Sequence, residues 1–358
     1  MKLLIAGGGT GGHVFPALAI AREWVRRGEG REVVIVGTRR GLETRLVPAA
    51  GLKLELLRAR GLKGIRGLRL VRNLALLPAG LLDAFRILRR HRFAAALGVG
   101  GYASGPMMLA AILRRVPSVL FEPNVLPGFT NRVLGRLARR VAVAQQEAMA
   151  QWPAKAVLTG CPVRPEFYQA PQRDLRPPFR ILITGGSQGS RTINRLMVAA
   201  ADRLVARKND LALIHQTGEI DFADVRDSYA RRGINAEVLP FIDDMPGRFA
   251  EADFLICRSG AVTVAELAAA GRAAIFIPFF AAADSHQLHN ALAVERAGAG
   301  RVLAGNDDEL TPTRLAGEIL DLVDHPDRLA EMQHRARQRG QPRAAEAIVD
   351  LLEEVARP

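Results

Sequence analysis

Gly7-Gly8-Gly9-Thr10-Gly11-Gly12-His13-Val14-Phe15-Pro16 follows the apolar run Leu3-Leu4-Ile5-Ala6 and precedes Ala17-Leu18-Ala19-Ile20-Ala21. The apolar run reads as a short buried strand, and Pro16 onward reads as a helix with proline in its first turn. The unit is therefore strand, glycine loop, helix. Glycines let the chain turn tightly and let its backbone approach an anion, at which the helix start aims unpaired N–H groups. The spacing Gly7-x-Gly9-x-x-Gly12 also fits a dinucleotide fingerprint, so alone it does not separate nucleotide-binding classes. A histidine at the end of such a loop adds a group able to take a proton, or one that merely braces the loop.

The same unit returns one domain length later. Phe179-Arg180-Ile181-Leu182-Ile183-Thr184 leads into Gly185-Gly186-Ser187-Gln188-Gly189-Ser190 and a helix through Asn194, Leu196 and Met197. This repetition predicts an α/β protein of two Rossmann-like, doubly wound parallel-sheet domains. Between them Cys161-Pro162-Val163-Arg164-Pro165 reads as a stiff connector, and periodicity is lost up to Pro178. The expected domains are residues 1–160 and 165–340, and the amphipathic segment 343–355 is expected to pack back on the first.

Further strands are expected at residues 32–38, 52–57, 94–99, 118–121, 139–144 and 155–159 in the first half. In the second they fall at 211–215, 236–242, 254–257 and 274–278. In open α/β sheets ligands bind at the carboxyl ends of strands. His13, Tyr102 of the loop Gly100-Gly101-Tyr102-Ala103-Ser104-Gly105-Pro106, and Glu122 with Asn124 are thus predicted to converge on one rim. In the second half, Cys257-Arg258-Ser259-Gly260-Ala261-Val262-Thr263-Val264-Ala265-Glu266 is a strand ending in a small-residue turn that opens a helix. Its start is an anion site, and Glu266 suits two ribose hydroxyls or simply the helix dipole. Asp243 and Asp244 fit a ligand rim or a helix N-cap, and Asp284-Ser285-His286-Gln287 before Asn290 fits the reading of sugar hydroxyls.

Composition narrows the class. The chain has 358 residues, 49% hydrophobic and 24% charged, as in a folded globular protein. Its two cysteines form no ligand-spacing pattern, which suits a reducing compartment and gives neither a disulfide framework nor a zinc site. A single lysine before the first strand speaks against a cleaved signal peptide. The uncharged run from Phe93 to Leu113 is broken by glycines and Pro106, and reads as strand, loop and helix rather than a membrane span. A net charge of +14, with all but five of the basic residues arginine, favours anionic partners or reflects a basic surface throughout. From Ile65 to Arg92 arginines alternate with large apolar residues, as in a helix lying on an anionic membrane or a solvated helix packing its leucines inward.

Rival chemistries fare worse. An NAD site wants an acid at the end of the second strand, where Arg39-Arg40 stand, leaving at most an NADP oxidoreductase as the second reading. A basic, non-enzymatic membrane- or nucleic-acid-binding protein is the third. No D-x-D pair offers to hold a diphosphate through a metal, and G-x-S-x-G, H-E-x-x-H and the G-x-x-x-x-G-K-[ST] loop are all missing.

Taken together, Gly7 to Pro16, Gly100 to Pro106, Gly185 to Gly189, Phe241-Ile242-Asp243-Asp244-Met245 and Cys257 to Glu266 resemble the MurG family of glycosyltransferases, block by block and in order. The resemblance implies a GT-B architecture with two Rossmann-like domains around a cleft. It also implies transfer of N-acetylglucosamine from UDP-N-acetylglucosamine to lipid-linked (undecaprenyl-pyrophosphoryl) N-acetylmuramyl-pentapeptide in peptidoglycan synthesis, at the cytoplasmic face of the membrane, with no cofactor. Ile242 would meet the uracil through its backbone and Glu266 the ribose. Ser187 and the turn Ala261, Val262, Thr263, Val264 and Ala265 would meet the diphosphate, and Gln188 and Asn194 are counted among the substrate-binding residues. Arg164 would touch the nucleotide, Gln287 and Asn124 the sugar, and Thr10, Gly11 and Gly12 would close over the donor. The segment 65–92 resembles the family's membrane face. For the base, His13 comes first and Glu122 second. The sequence departs from the family at Phe121-Glu122-Pro123-Asn124, where His-Glu-Gln-Asn is usual, and in the bland run Phe280-Ala281-Ala282-Ala283-Asp284.

Overall fold

A computed structural model describes residues 1–39, 41–59, 76–279, 285–305 and 310–357. The chain divides into two compact units, Met1–Val163 with Arg343–Pro358, and Arg164–Pro342.

The first unit carries a seven-stranded sheet in the order β3-β2-β1-β4-β5-β6-β7, every neighbouring pair parallel. The strands are β1 (Lys2–Gly7), β2 (Glu32–Gly37), β3 (Lys53–Leu56), β4 (Ala95–Gly100), β5 (Ser118–Glu122), β6 (Arg140–Val143) and β7 (Ala156–Leu158). Parallel strands covered on both faces need continuous apolar runs, and Leu3 to Ala6 and Ala95 to Leu97 are wholly buried. The helices are α1 (Gly11–Arg26), α2 (Glu43–Ala49), α3 (Leu76–Arg90), α4 (Ser104–Leu113) and α5 (Phe129–Leu134). The order reverses between β1 and β4, and the loops after these two strands hold Gly8 to Thr10 and Gly101 to Ala103.

Helix α1 begins earlier than its proline suggests. It starts at Gly11 with Thr10 as N-cap residue in extended backbone, so Pro16 lies in the second turn and His13 in the first. At that position proline gives up the bond an amide would have made to the Gly12 carbonyl, four residues back. The segment Ile65–Arg92 divides: residues 65–75 lie outside the described residues, and α3 covers the rest up to Arg90.

In the second unit β8 (Phe179–Thr184), β9 (Leu211–Gln216), β10 (Ala236–Leu239), β11 (Phe254–Cys257), β12 (Ala273–Phe276) and β13 (Gly300–Val302) pair in parallel as β10-β9-β8-β11-β12-β13. Its helices are α6 (Arg191–Leu204), α7 (Phe222–Arg232), α8 (Met245–Glu251), α9 (Ala261–Ala270), α10 (His286–Arg296), α11 (Pro312–Asp324) and α12 (Pro326–Gln338). The order reverses between β8 and β11. Ser190 and Asp244 cap α6 and α8, accepting from the Ile193 and Gly247 amides at 3.4 and 3.0 Å.

The last helix, α13 (Ala344–Ala356), belongs to the first unit. Its stripe of Ile348, Val349, Leu352 and Val355 is buried, and it packs against α1 and strands β4 to β6. Arg27 and Arg31 pair with Asp350 and Glu353 at 2.6 Å each, and an Arg139 guanidinium N–H donates to the Val355 carbonyl at 2.9 Å.

Candidate functional site

The first rim is built where β1 and β4 end side by side. Gly101 has φ +80°, and a Cβ there would strike the Gly8 carbonyl, so the two loops meet backbone to backbone. A Cβ at Gly100 would stand 2.8–2.9 Å from Cε1 and Nδ1 of His13, which fixes the imidazole against the end of β4. Burial pulls the His13 pKa down, and the Val99 carbonyl and the Glu43 carboxylate oppose that shift. Its ring is therefore held toward the neutral form, with Nδ1 buried and without a hydrogen-bond partner among the described residues. Tyr102 is exposed on the same loop, as is Thr10 on the other.

Glu122 is placed differently from a group waiting for a substrate proton. It is 2% exposed, and its two oxygens accept four hydrogen bonds at 3.0 Å, from the Asn124 amide N–H and Nδ2, the Gly128 amide and Asn131 Nδ2. Burial raises its pKa and these donors work against the rise. The carboxyl thus orders the loop that carries Asn124, and its lone pairs are committed there.

The second rim repeats the arrangement. Gly189 and Gly218 both have positive φ, and a Cβ on either would meet the carbonyl of the other loop, Thr217 or Gln188. Ser187 and Gln188 are exposed at the turn, and the α9 start presents Ala261, Val262 and Thr263. The Arg258 guanidinium ties three strand ends together, donating to Ser190 Oγ at 2.7 Å and to the Ile277 and Pro278 carbonyls at 2.8 Å. Burial lowers the Arg258 pKa, and its planar head lies over the Phe279 ring, 5.3 Å from the centroid. Gln287 Oε1 accepts from the Phe279 amide at 2.9 Å, and the Gln287 carbonyl accepts from Ser259 Oγ at 2.7 Å.

Glu266 stands in the second turn of α9 with its pKa pushed up to about 7 by burial, while Arg164 pulls it down. Arg164 is exposed, its guanidinium 5.2 Å from the Phe167 ring centroid. Ile242 is buried beside the exposed Phe241.

Asn194 lies deeper than the exposed rim residues. It is 1% exposed, with Nδ2 donating to the Thr217 carbonyl at 2.9 Å and Asp221 Oδ2 at 2.8 Å. Its oxygen is then left for His215 Nε2 at 3.1 Å. That assigns the proton of His215 to Nε2 and makes Nδ1 the acceptor for the Tyr229 hydroxyl at 2.9 Å. Burial lowers the His215 pKa to about 3, so the ring stays neutral. Asn194 thus stands buried behind the second rim, its amide engaged with Thr217, Asp221 and His215.

With this geometry in hand, comparison with known proteins is direct. The glycosyltransferase family 28 N-terminal domain matches residues 3–143, and the family 28 C-terminal domain matches residues 180–348. A Myxococcus xanthus (strain DK1622) protein named UDP-N-acetylglucosamine--N-acetylmuramyl-(pentapeptide) pyrophosphoryl-undecaprenol N-acetylglucosamine transferase is 47% identical over 354 residues, covering 98% of this chain and 92% of that protein. A protein of the same name from Solibacter usitatus (strain Ellin6076) is 45% identical over 361 residues, covering 100% and 97%. The crystal structure of Acinetobacter baumannii MurG matches with a TM-score of 0.81 and 32% identity over 99% of both chains. The chain belongs to the MurG family.

Membership of the MurG family fixes the two parallel-sheet units as those of a GT-B glycosyltransferase and leaves the oxidoreductase and non-enzymatic readings without support. Against the residues expected from the MurG resemblance, His13, Thr10, Gly11, Gly12, Tyr102 and Asn124 share the rim of the first unit. Arg164, Ser187, Gln188, Ile242, Gln287 and the stretch Ala261 to Glu266, with Val264 turned inward and Ala265 half-buried, belong to the second. Sequence reading gave no role to Glu43, Asn131 or His215, because each acts through a partner on another element, Gly9, Glu122 and Asn194. Arg258 was visible inside its motif, and a cation among small residues at a strand end was the available signal.

Proposed function

We propose that this chain transfers N-acetylglucosamine from UDP-N-acetylglucosamine to the 4-hydroxyl of undecaprenyl-pyrophosphoryl N-acetylmuramyl-pentapeptide, converting lipid I to lipid II. The observation that carries this reading is the 47% identity to a transferase of that name over 98% of the chain. The second unit takes the nucleotide sugar: Ile242 backbone at the uracil, Glu266 at the ribose, and Ser187, Gln188 and the α9 start at the diphosphate. Gln287 and Asn124 read the sugar. Fixed N–H dipoles and Arg258 then meet the charge that builds on the leaving UDP.

His13 is the general base. Its neutral imidazole takes the proton of the acceptor 4-hydroxyl through Nε2 as that oxygen attacks the anomeric carbon; the bond from that carbon to UDP breaks, and the configuration inverts. Glu122 keeps Asn124 in place. The membrane face is α3, which exposes Leu77 and Leu82 beside Arg86, Arg89 and Arg90, next to the exposed Leu113 with Arg114 and Arg115 at the end of α4. Among the described residues no helix is long and apolar enough to cross a membrane.

The test is UDP release on mixing UDP-N-acetylglucosamine with the lipid-linked acceptor. Absence of turnover in the unmodified protein overturns the assignment. His13→Ala is expected to lower kcat about 10²–10⁴-fold with donor binding retained. Near-native turnover in that variant removes His13 from the chemistry.

A further inference from the structure

The Gly8–Thr10 turn is gripped from behind by a carboxylate outside the glycine motif. Glu43 is 1% exposed; its Oε2 accepts the Gly9 amide at 2.7 Å, and its Oε1 accepts the Thr38 amide at 2.9 Å and the Thr38 hydroxyl at 3.2 Å. Its neighbour Leu42 donates its amide to the Gly9 carbonyl at 3.3 Å, so the start of α2 holds both polar groups of Gly9. Room for the carboxyl comes from three glycines: a Cβ at Gly8, Gly37 or Gly41 would run into it. An acid that only favoured the short helix α2 through its dipole would serve at the surface. Burying a carboxylate is costly unless its lone pairs are met, and here one oxygen is met by the turn that leads into His13 and the other by Thr38 at the end of β2. The turn passes the constraint on, since the amides of His13 and Val14 both donate to the Thr10 carbonyl, at 3.1 and 3.2 Å.

We infer that Glu43 is the positioning residue of the His13 loop, fixing the turn through Gly9 and setting its negative charge behind the imidazole. The inference rests on the reading of His13 as general base. The groups acting on His13 are the Val99 carbonyl of β4 and the Glu43 carboxylate of α2, and α1 brings no acid in its first turn.

Two readouts separate this role from the role of His13. The first is hydrogen exchange at the Gly9 amide. It is slow in the unmodified protein and rises about tenfold or more in Glu43→Gln, whose NH₂ faces a donor where an oxygen stood. The second is the rate: kcat falls while KM for UDP-N-acetylglucosamine stays within about twofold. The acidic limb of the kcat profile moves to lower pH in Glu43→Gln, because a charge that favoured imidazolium is gone. Gly41→Ala, which displaces the carboxyl without removing its charge, reproduces the exchange and kcat effects and decides the matter if Glu43→Gln fails to fold. Open-chain exchange at Gly9 in the unmodified protein, or unchanged exchange and kcat in Gly41→Ala and any folded Glu43→Gln, overturns the role of Glu43. If His13→Ala keeps near-native turnover, the base assignment falls, while Gly9 exchange still reports on Glu43.

Discussion

With Glu266 at the ribose, as proposed, donor binding is expected to depend on pH in the neutral range. Its carboxyl is pushed up to about 7 by burial, with Arg164 opposing. The carboxylate accepts from two ribose hydroxyls through charge-assisted bonds, which are stronger than those the protonated acid makes. With a pKa of about 7, about a tenth of the chains carry the ionised form at pH 6 and about nine tenths at pH 8. Affinity for the donor is therefore expected to rise by up to about tenfold across that interval. The assay is calorimetric titration with UDP-N-acetylglucosamine, whose two phosphates are diesters and keep their charge throughout, whereas the terminal phosphate of UDP titrates nearby. Glu266→Gln should bind more weakly and without this slope. The sign on stability is opposite. A carboxyl whose folded pKa lies above its unfolded value loses stability as pH rises from about 4.5 to 7, so Glu266→Gln should melt higher than the parent at pH 8 and not at pH 4. A flat affinity between pH 6 and 8 in the parent, or a slope that persists in Glu266→Gln, refutes the reasoning.

Two further outcomes follow from burial. Asn194→Ala leaves His215 Nε2 without its acceptor, and the expected loss is about 1–3 kcal/mol of stability, read as a lower Tm, with the KM for donor little changed in the folded protein. A large rise in KM at unchanged Tm would instead mark Asn194 as a ligand contact. Removing residues 343–358 strips Ile348, Val349, Leu352 and Val355 from the first unit. At about 1.5–3 kcal/mol each, that loss matches the whole stability of an ordinary domain. The truncated chain should lack native near-UV circular dichroism from the first unit, and a native spectrum would contradict the packing.

The strands were legible because parallel strands buried on both faces leave continuous apolar runs, as in Leu3 to Ala6 and Ile181 to Ile183. Strand β13 was not, since Gly300-Arg301-Val302 has neither length nor an apolar run. Motif reading reached the exposed parts of both rims, where residue type and loop position suffice. It missed Glu43, which reaches Gly9 across 34 residues, and it did not separate the buried Asn194 from the exposed rim. Helical spacing carried the warning there, because Asn194 shares a face with the buried Met197 and Ala201. Pro16 misled in the same local way, as a residue that marks helix starts but tolerates the second turn.

The return of α13 to the first unit bears on how the molecule is made. Residues 164–342 are contiguous, so every segment of that unit is made before α13. The first unit, though begun first, waits for its last helix until all of the second has been made. Until then the apolar face beneath α13 stands open, and the usual order of N-terminal domain before C-terminal domain is reversed for completion of the fold.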